Sequence, residues 1–168
     1  LTGLGLLVSL SIALPLGVVA ALRQGTWVDH LARFLALLGQ AIPSFILAPA
    51  LILLFSVGLR WLPVSGTGGP EHLVLPAVVI GAASAASLLR VLRSSLLEVY
   101  RRDHIRTAAA KGLAPGAILR RHAMRNAAIP VVTFLAFDVA AIMSGVVIVE
   151  VVFAYPGMGR LAYQAITN

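Results

Sequence analysis

The sequence predicts an all-α protein, a polytopic bundle of membrane-spanning helices, and three observations carry that expectation. Of the 168 residues, 60% are hydrophobic and only 11% charged, with a mean hydropathy of +0.97. A water-soluble domain of this size leaves about 30% of its unfolded-chain surface exposed, more than so few polar side chains can cover. Four stretches, 1–22, 34–59, 73–89 and 126–149, contain no Lys or Arg, and they reach or approach the ~20 residues that cross ~30 Å of hydrocarbon. Finally, nine of the thirteen basic residues fall in one segment, 90–125, between the last two stretches.

The first stretch has neither a basic leader region nor a small-residue cleavage site before a polar start, so it reads as a span and not a signal peptide. The third is short, but Leu88, Leu92 and Leu96 continue at helical spacing, which extends that helix beyond the membrane. Pro15, Pro43, Pro49, Pro76 and Pro130 lie in or at the ends of the spans, where a membrane bundle accepts them as kinks or helix starts. Basic residues near span ends resist translocation. Segments 23–33 and 90–125 hold eleven of them, whereas 60–72 and 150–168 hold one each, Arg60 and Arg160. The first two segments are therefore expected in the cytosol. Residues 1–168 read as a single transmembrane domain whose first residue lies outside, and that topology implies a further span at each end of the parent subunit.

Segment 90–125 is too long and patterned for a simple connection. Asp103 suits an N-cap, and 104–111 is an Ala-rich helical run with Lys111 at its negative end. Gly112 then supplies a left-handed stop, and Pro115 opens a second helix toward Asn126. Two readings stand on spacing alone: a small-residue helix that enters a groove on a partner protein, or a solvated basic loop. Asp138 is the one charge inside a span, so it faces protein or water. It lines a translocation pathway or serves as an internal hydrogen-bond partner. A proton relay has no second intramembrane acid or His to use.

Other classes find no support in the residues. Without cysteine there are no disulfides, thiolate metal sites or cysteine nucleophiles. His30, His72, His104 and His122 show no metal-ligand spacing, and Glu150 and Arg160 bracket a Pro-Gly turn as a weak exposed pair. No phosphate-binding loop, nucleophile elbow or paired carboxylates appear, so no catalytic residue, bound cofactor or metal is expected. The formal charge of +7 is explained by a cytosolic loop without nucleic acid.

The run Tyr100-Arg101-Arg102-Asp103-His104-Ile105-Arg106-Thr107-Ala108-Ala109-Ala110-Lys111-Gly112-Leu113, followed by Arg121-His122-Ala123-Met124-Arg125-Asn126-Ala127-Ala128-Ile129-Pro130, resembles the EAA loop of ABC-importer permeases. Counting back from Gly112 puts Arg106, Thr107 and Ala108 on the Glu-Ala-Ala positions. The missing Glu, and His122 to Arg125 in place of the later Ile-x-Leu-Pro element, resemble the dipeptide, oligopeptide and nickel branch. A second run, from Glu150 through Phe153, Pro156, Gly157 and Gly159 to Leu161, resembles the Glu-x-x-Phe-x-x-Pro-Gly-x-Gly-x-Leu element of the same permeases.

The resemblance implies a type I ABC-importer permease core in the bacterial cytoplasmic membrane. It implies a second, homologous or identical permease subunit, two cytosolic ATP-binding subunits that carry the ATP and Mg, and an extracytoplasmic solute-binding protein. The family's coupling helix falls on 103–112, which assigns ATPase coupling to Asp103, Arg106, Thr107, Ala108, Ala109, Lys111, Gly112 and Leu113. Peptides are the expected solute, with nickel or glutathione as alternatives within the same class. A secondary transporter or channel using Asp138 is the alternative outside it, and an anchor whose basic loop binds anionic lipid or nucleic acid is a third.

Overall fold

The computed structural model describes residues 1–167, the side chains of 144, 145 and 167 excepted. Its described elements are helical: α1 (Thr2–Leu22), α2 (Trp27–Ala41), α3 (Ser44–Leu51), α4 (Glu71–Tyr100), α5 (Asp103–Ala110), α6 (Pro115–Ala117), α7 (Met124–Val152) and α8 (Met158–Thr167). Helix α3 runs on as a π-helical segment, Ile52–Gly58, and a second one, Ile118–Ala123, joins α6 to α7.

Helix α4 is the axis, because α1, α2, α3 and α7 all pack on it. Its contact with α1 is made by small residues. The buried face of α1 is Gly5, Ser9, Ala13, Gly17, Ala20 and Ala21, a stripe at mostly four-residue spacing that lets two backbones approach where lipid gives no hydrophobic drive for association. At the crossing, a Cβ on Gly81 would lie 2.8 Å from the Gly5 carbonyl oxygen, and one on Gly5 would overlap Ile80. Two apolar clusters result. One, with Leu88, Leu92, Leu96, Ile105 and Ile118, lies at the end carrying α5; the other, with Leu75, Val79, Val146 and Phe153, lies at the opposite end.

Helices α1, α4 and the run Pro115–Met143 are each long and apolar enough to cross a membrane. At 30 residues and about 1.5 Å per residue, α4 outruns ~30 Å of hydrocarbon by roughly ten residues, as the leucine spacing predicts. Many large apolar side chains face outward, among them Leu7, Phe45, Leu53, Ile129 and Phe137, which suits lipid or a neighbouring subunit.

The stretch 34–59 is not one straight helix. Trp27–Ala41 and Ser44–Gly58 meet at a bend of 101°. The residue before a proline is pushed out of the helical region and proline offers no N–H. Accordingly Ile42 is extended (φ −88°, ψ 113°), and Pro43 caps a new helix. The other prolines of the four apolar stretches, Pro15, Pro49, Pro76 and Pro130, sit inside helices.

Candidate functional site

Helix α5 is held at one end of the bundle by two residues of its own. Ile105 and Ala108 are buried and join the apolar cluster formed by α4 and the start of α7, with Leu113 packed against it. The helix then stops in a Schellman arrangement: Leu113 N–H donates to the Ala108 carbonyl at 3.3 Å and Gly112 N–H to that of Ala109 at 2.9 Å. Gly112 has φ +78°, the left-handed value this motif requires, with no atom within 4 Å of where a Cβ would stand. Pro115 begins the next helix.

Opposite Ile105 and Ala108, Asp103, Arg106, Thr107 and Ala110 are exposed, at the i, i+3, i+4 and i+7 positions of one outward stripe. Ala109, Lys111 and Gly112 are exposed beside it. The eight residues grouped from the sequence therefore divide. Ala108 is buried and Leu113 half-buried against the same apolar cluster, so both help hold the helix to its own subunit. Asp103 is also not the N-cap. Arg102, extended at ψ 148°, takes that position without a side-chain cap bond, since only two residues separate α4 from α5. Asp103 stands in the first turn, where its charge still complements the helix dipole.

Asp138 on α7 accepts a hydrogen bond from the Ser84 hydroxyl on α4, and Ser84 is 3.0 Å from the Ser9 hydroxyl on α1. The chain Ser9, Ser84, Asp138 thus ties three helices together. Beside it lies a cavity of about 300 Å³ whose polar lining is Gln40, Ser44, Ser84, Ser87 and Asp138 and whose other walls are apolar. Asp138 is thus an internal hydrogen-bond partner whose carboxylate also lines a cavity among α2, α3, α4 and α7.

The second sequence element forms the turn from α7 to α8. Glu150 is buried, and its carboxylate accepts the backbone N–H of Arg160 at 3.0 Å. Arg160 is the third residue of α8, so Glu150 caps that helix from a distance and places negative charge at its positive end. The expected side-chain pair with Arg160 is replaced by this contact. The guanidinium turns instead to the Ala154 carbonyl. Gly157 and Gly159 make the room, since a Cβ on Gly157 would overlap the Glu150 carboxylate and one on Gly159 would come within 2.6 Å of Val147. Phe153 is buried in the far apolar cluster, and its carbonyl accepts Gly66 N–H at 3.0 Å. Pro156 lies between Tyr155 and the Gly157 N–H that bonds back to it.

One pair had gone unseen in the sequence. Asp29, in the first turn of α2, has a side chain only 1% exposed and takes both Nε and Nη2 of Arg93 at 2.7 Å. Gly25 N–H adds a third bond at 3.0 Å. These bonds, Arg93's first, outweigh burial and lower the carboxyl from its ordinary 3.8 to about 2. Sixty-four positions separate the partners, so neither predicts the other. The available signal was an acid standing alone in the otherwise basic segment 23–33.

Among known proteins, the chain is 45% identical over 155 residues to the dipeptide transport system permease protein DppB of Bacillus subtilis, an overlap of 92% of this chain and 50% of that one. It is 38% identical over 180 residues to the di/tripeptide transport system permease protein DppB of Pseudomonas aeruginosa, covering 90% and 54%. It is 39% identical over 150 residues to the glutathione transport system permease protein GsiC of Escherichia coli K12, covering 89% and 49%. The chain spans about half the length of these curated relatives. Residues 13–168 match the binding-protein-dependent transport system inner membrane component family, and with that match and these relatives the chain belongs to this family of multi-pass, non-catalytic transport permeases.

Proposed function

We propose that this chain is the membrane core of a pore subunit in an ATP-driven importer of di- and oligopeptides, worked by cytosolic ATPases through α5. The observation that carries the coupling role is the division of α5 into two faces. Ile105 and Ala108 fasten it to the cluster around α4 and α7, while Asp103, Arg106, Thr107 and Ala110 face outward. A partner that moved this stripe would move the ends of two spans with it, which is the connection a two-state transporter needs. The pathway is assigned to the cavity beside Asp138, where one carboxylate and several hydroxyl and amide groups offer hydrogen bonds within apolar walls. The named functions of the relatives support peptides as the solute, and the similarity to a glutathione permease keeps glutathione, itself a peptide, within the reading.

ATP and Mg belong to the two partner ATPases in this proposal. A second permease subunit completes the pore, an extracytoplasmic binding protein delivers the solute, and the assembly sits in a bacterial cytoplasmic membrane.

The test is Gly112→Val in the full-length subunit of the complete transporter, beside a charge reversal at Arg120, which is exposed and lies after α5. A β-branched residue at φ +78° carries strain of about 1–3 kcal/mol, enough to shift α5 while the spans insert normally. ATPase co-purification or uptake per ATP hydrolysed should fall for Gly112→Val and hold for the Arg120 variant. Normal uptake in Gly112→Val, or equal losses in both, would refute the coupling role.

A further inference from the structure

A second cavity, of about 580 Å³, opens between α2 and α4 near the end that carries α5, and the transport reading leaves it unused. Its polar lining is Arg33, Arg90, Arg93, His30 and Ser94; its apolar lining is Phe34, Leu37 and Val91. On α2 the face is graded. Trp27, His30, Phe34 and Leu37 follow at i, i+3, i+7 and i+10, starting from an indole 74% exposed and ending in two exposed apolar side chains further along the helix. An exposed Trp at the start of the helix, followed by guanidinium groups and exposed apolar side chains along the cavity, is a composition found at a membrane interface.

The charges do not balance. Asp29 takes the Arg93 guanidinium at 2.7 Å, and Arg33 stands farther off at 3.7 Å from the same carboxylate. Arg33 also lies 2.7 Å from His30 Nδ1, and Arg90 forms no ion pair among the described residues. Three guanidinium groups against one carboxylate leave a net charge of +2. Another apolar helix seated here would bury that charge without a partner, which is strongly unfavourable. A free anion would satisfy the arginines and leave Phe34 and Leu37 unused.

We propose that this cavity seats the headgroup of an anionic phospholipid, with its phosphate toward Arg33 and Arg90 and its acyl chains along Phe34 and Leu37. The excess positive charge selects anionic over zwitterionic lipid, and the apolar lower wall selects a lipid over a soluble phosphate. The lipid would fill the open side of the α2–α4 contact just where Asp29 and Arg93 join the two helices. This rests on the chain's place in a membrane permease family and not on the coupling role of α5.

The experiment uses the full-length permease in its assembled transporter, in nanodiscs of phosphatidylcholine with phosphatidylglycerol as the minor component. Lipid retained after purification is quantified by mass spectrometry. Arg33→Gln with Arg90→Gln should lower retained phosphatidylglycerol by about fivefold for each charge removed, the equivalent of about 1 kcal/mol per basic residue at an anionic surface. Phosphatidylcholine should be unchanged, Lys at both positions should hold the anionic lipid, and inorganic phosphate should not displace it. Because the readout is lipid and not uptake, it is independent of the transport assay above. Equal phosphatidylglycerol retention in wild type and the Gln pair overturns the proposal. Displacement by inorganic phosphate reassigns the cavity to a soluble anion, and a disulfide from Leu37→Cys to a cysteine on the second permease subunit gives it to protein; either also overturns the lipid.

Discussion

Replacing Asp29 tests the least visible contact in the fold, and its size can be worked from the geometry. The carboxylate is 1% exposed, its Arg93 partner is 16% exposed, and three short hydrogen bonds hold it. Lowering the carboxyl from 3.8 to about 2 means the folded state favours the ionised over the protonated form by about 2 kcal/mol more than the unfolded chain does. Asp29→Asn, the nearest neutral isostere, should therefore cost about 2 kcal/mol. Asp29→Ala leaves a half-buried guanidinium and the Gly25 N–H unpaired, so it should cost about 3–5 kcal/mol.

The sign of the pH dependence follows from the same shift. A depressed folded value gives stability that is complete above 3.8 and lost as pH falls toward about 2. Wild type and Asn variant should thus differ by a constant amount from pH 5 to pH 8 and converge only in strong acid. Thermal unfolding of the detergent-purified full-length subunit should rank wild type, Asn, then Ala. Arg93→Met added to Asp29→Ala should recover part of the loss, because an apolar pair replaces an orphaned charge. The reasoning fails if all variants melt together, or if the Asp29 and Arg93 losses simply add.

Three further outcomes can be checked. Asp138→Asn should insert normally and transport moderately less, while Asp138→Leu should transport much less, because Ser84 and the cavity need a hydrogen-bonding group there before they need charge; unchanged uptake in both removes Asp138 from the pathway. Gly157→Ala should drive the Glu150 carboxylate off the start of α8, costing about 1–3 kcal/mol for the lost bond to Arg160 N–H. Hydrogen exchange in α8 should rise, and Glu150→Ala added to it should cause little further change; unchanged exchange in Gly157→Ala would mean the capping contact is absent. Finally, a single cysteine at Ala114 should react with an impermeant reagent only from the cytosolic side and one at Gly68 only from outside, and the reverse pattern would invert the orientation drawn from the basic residues.

Local chemistry was legible in the sequence wherever a residue type has one strong backbone preference. Gly112 could be assigned a left-handed stop because few other residues adopt φ +78° without strain, and Pro115 a helix start because its missing N–H is not needed there. The long apolar runs became helices because lipid leaves the backbone no other way to satisfy its hydrogen bonds. At Pro43 the same kind of reasoning was available, yet composition alone does not say whether a proline kinks a span or breaks it by 101°. That depends on what packs against the two halves.

Tertiary structure alone decided which side of each element is used. Within α5 the alanines 108, 109 and 110 are chemically identical, and only the position of the helix on α4 and α7 makes Ala108 a fastening and Ala110 part of the free stripe. Glu150 reaches a backbone N–H and not the Arg160 side chain because the glycines of the turn admit its carboxylate at the start of α8. Asp29 and Arg93 carry no local mark of each other, since an ion pair between two helices depends on a crossing made by small residues elsewhere, Gly39 against Ala82 and Ala86 among them. Periodicity and backbone preference are properties of neighbours in sequence. The charge partners, the capping contact and the two cavities are properties of neighbours in space, and they came into being only when α1, α2 and α7 closed on α4.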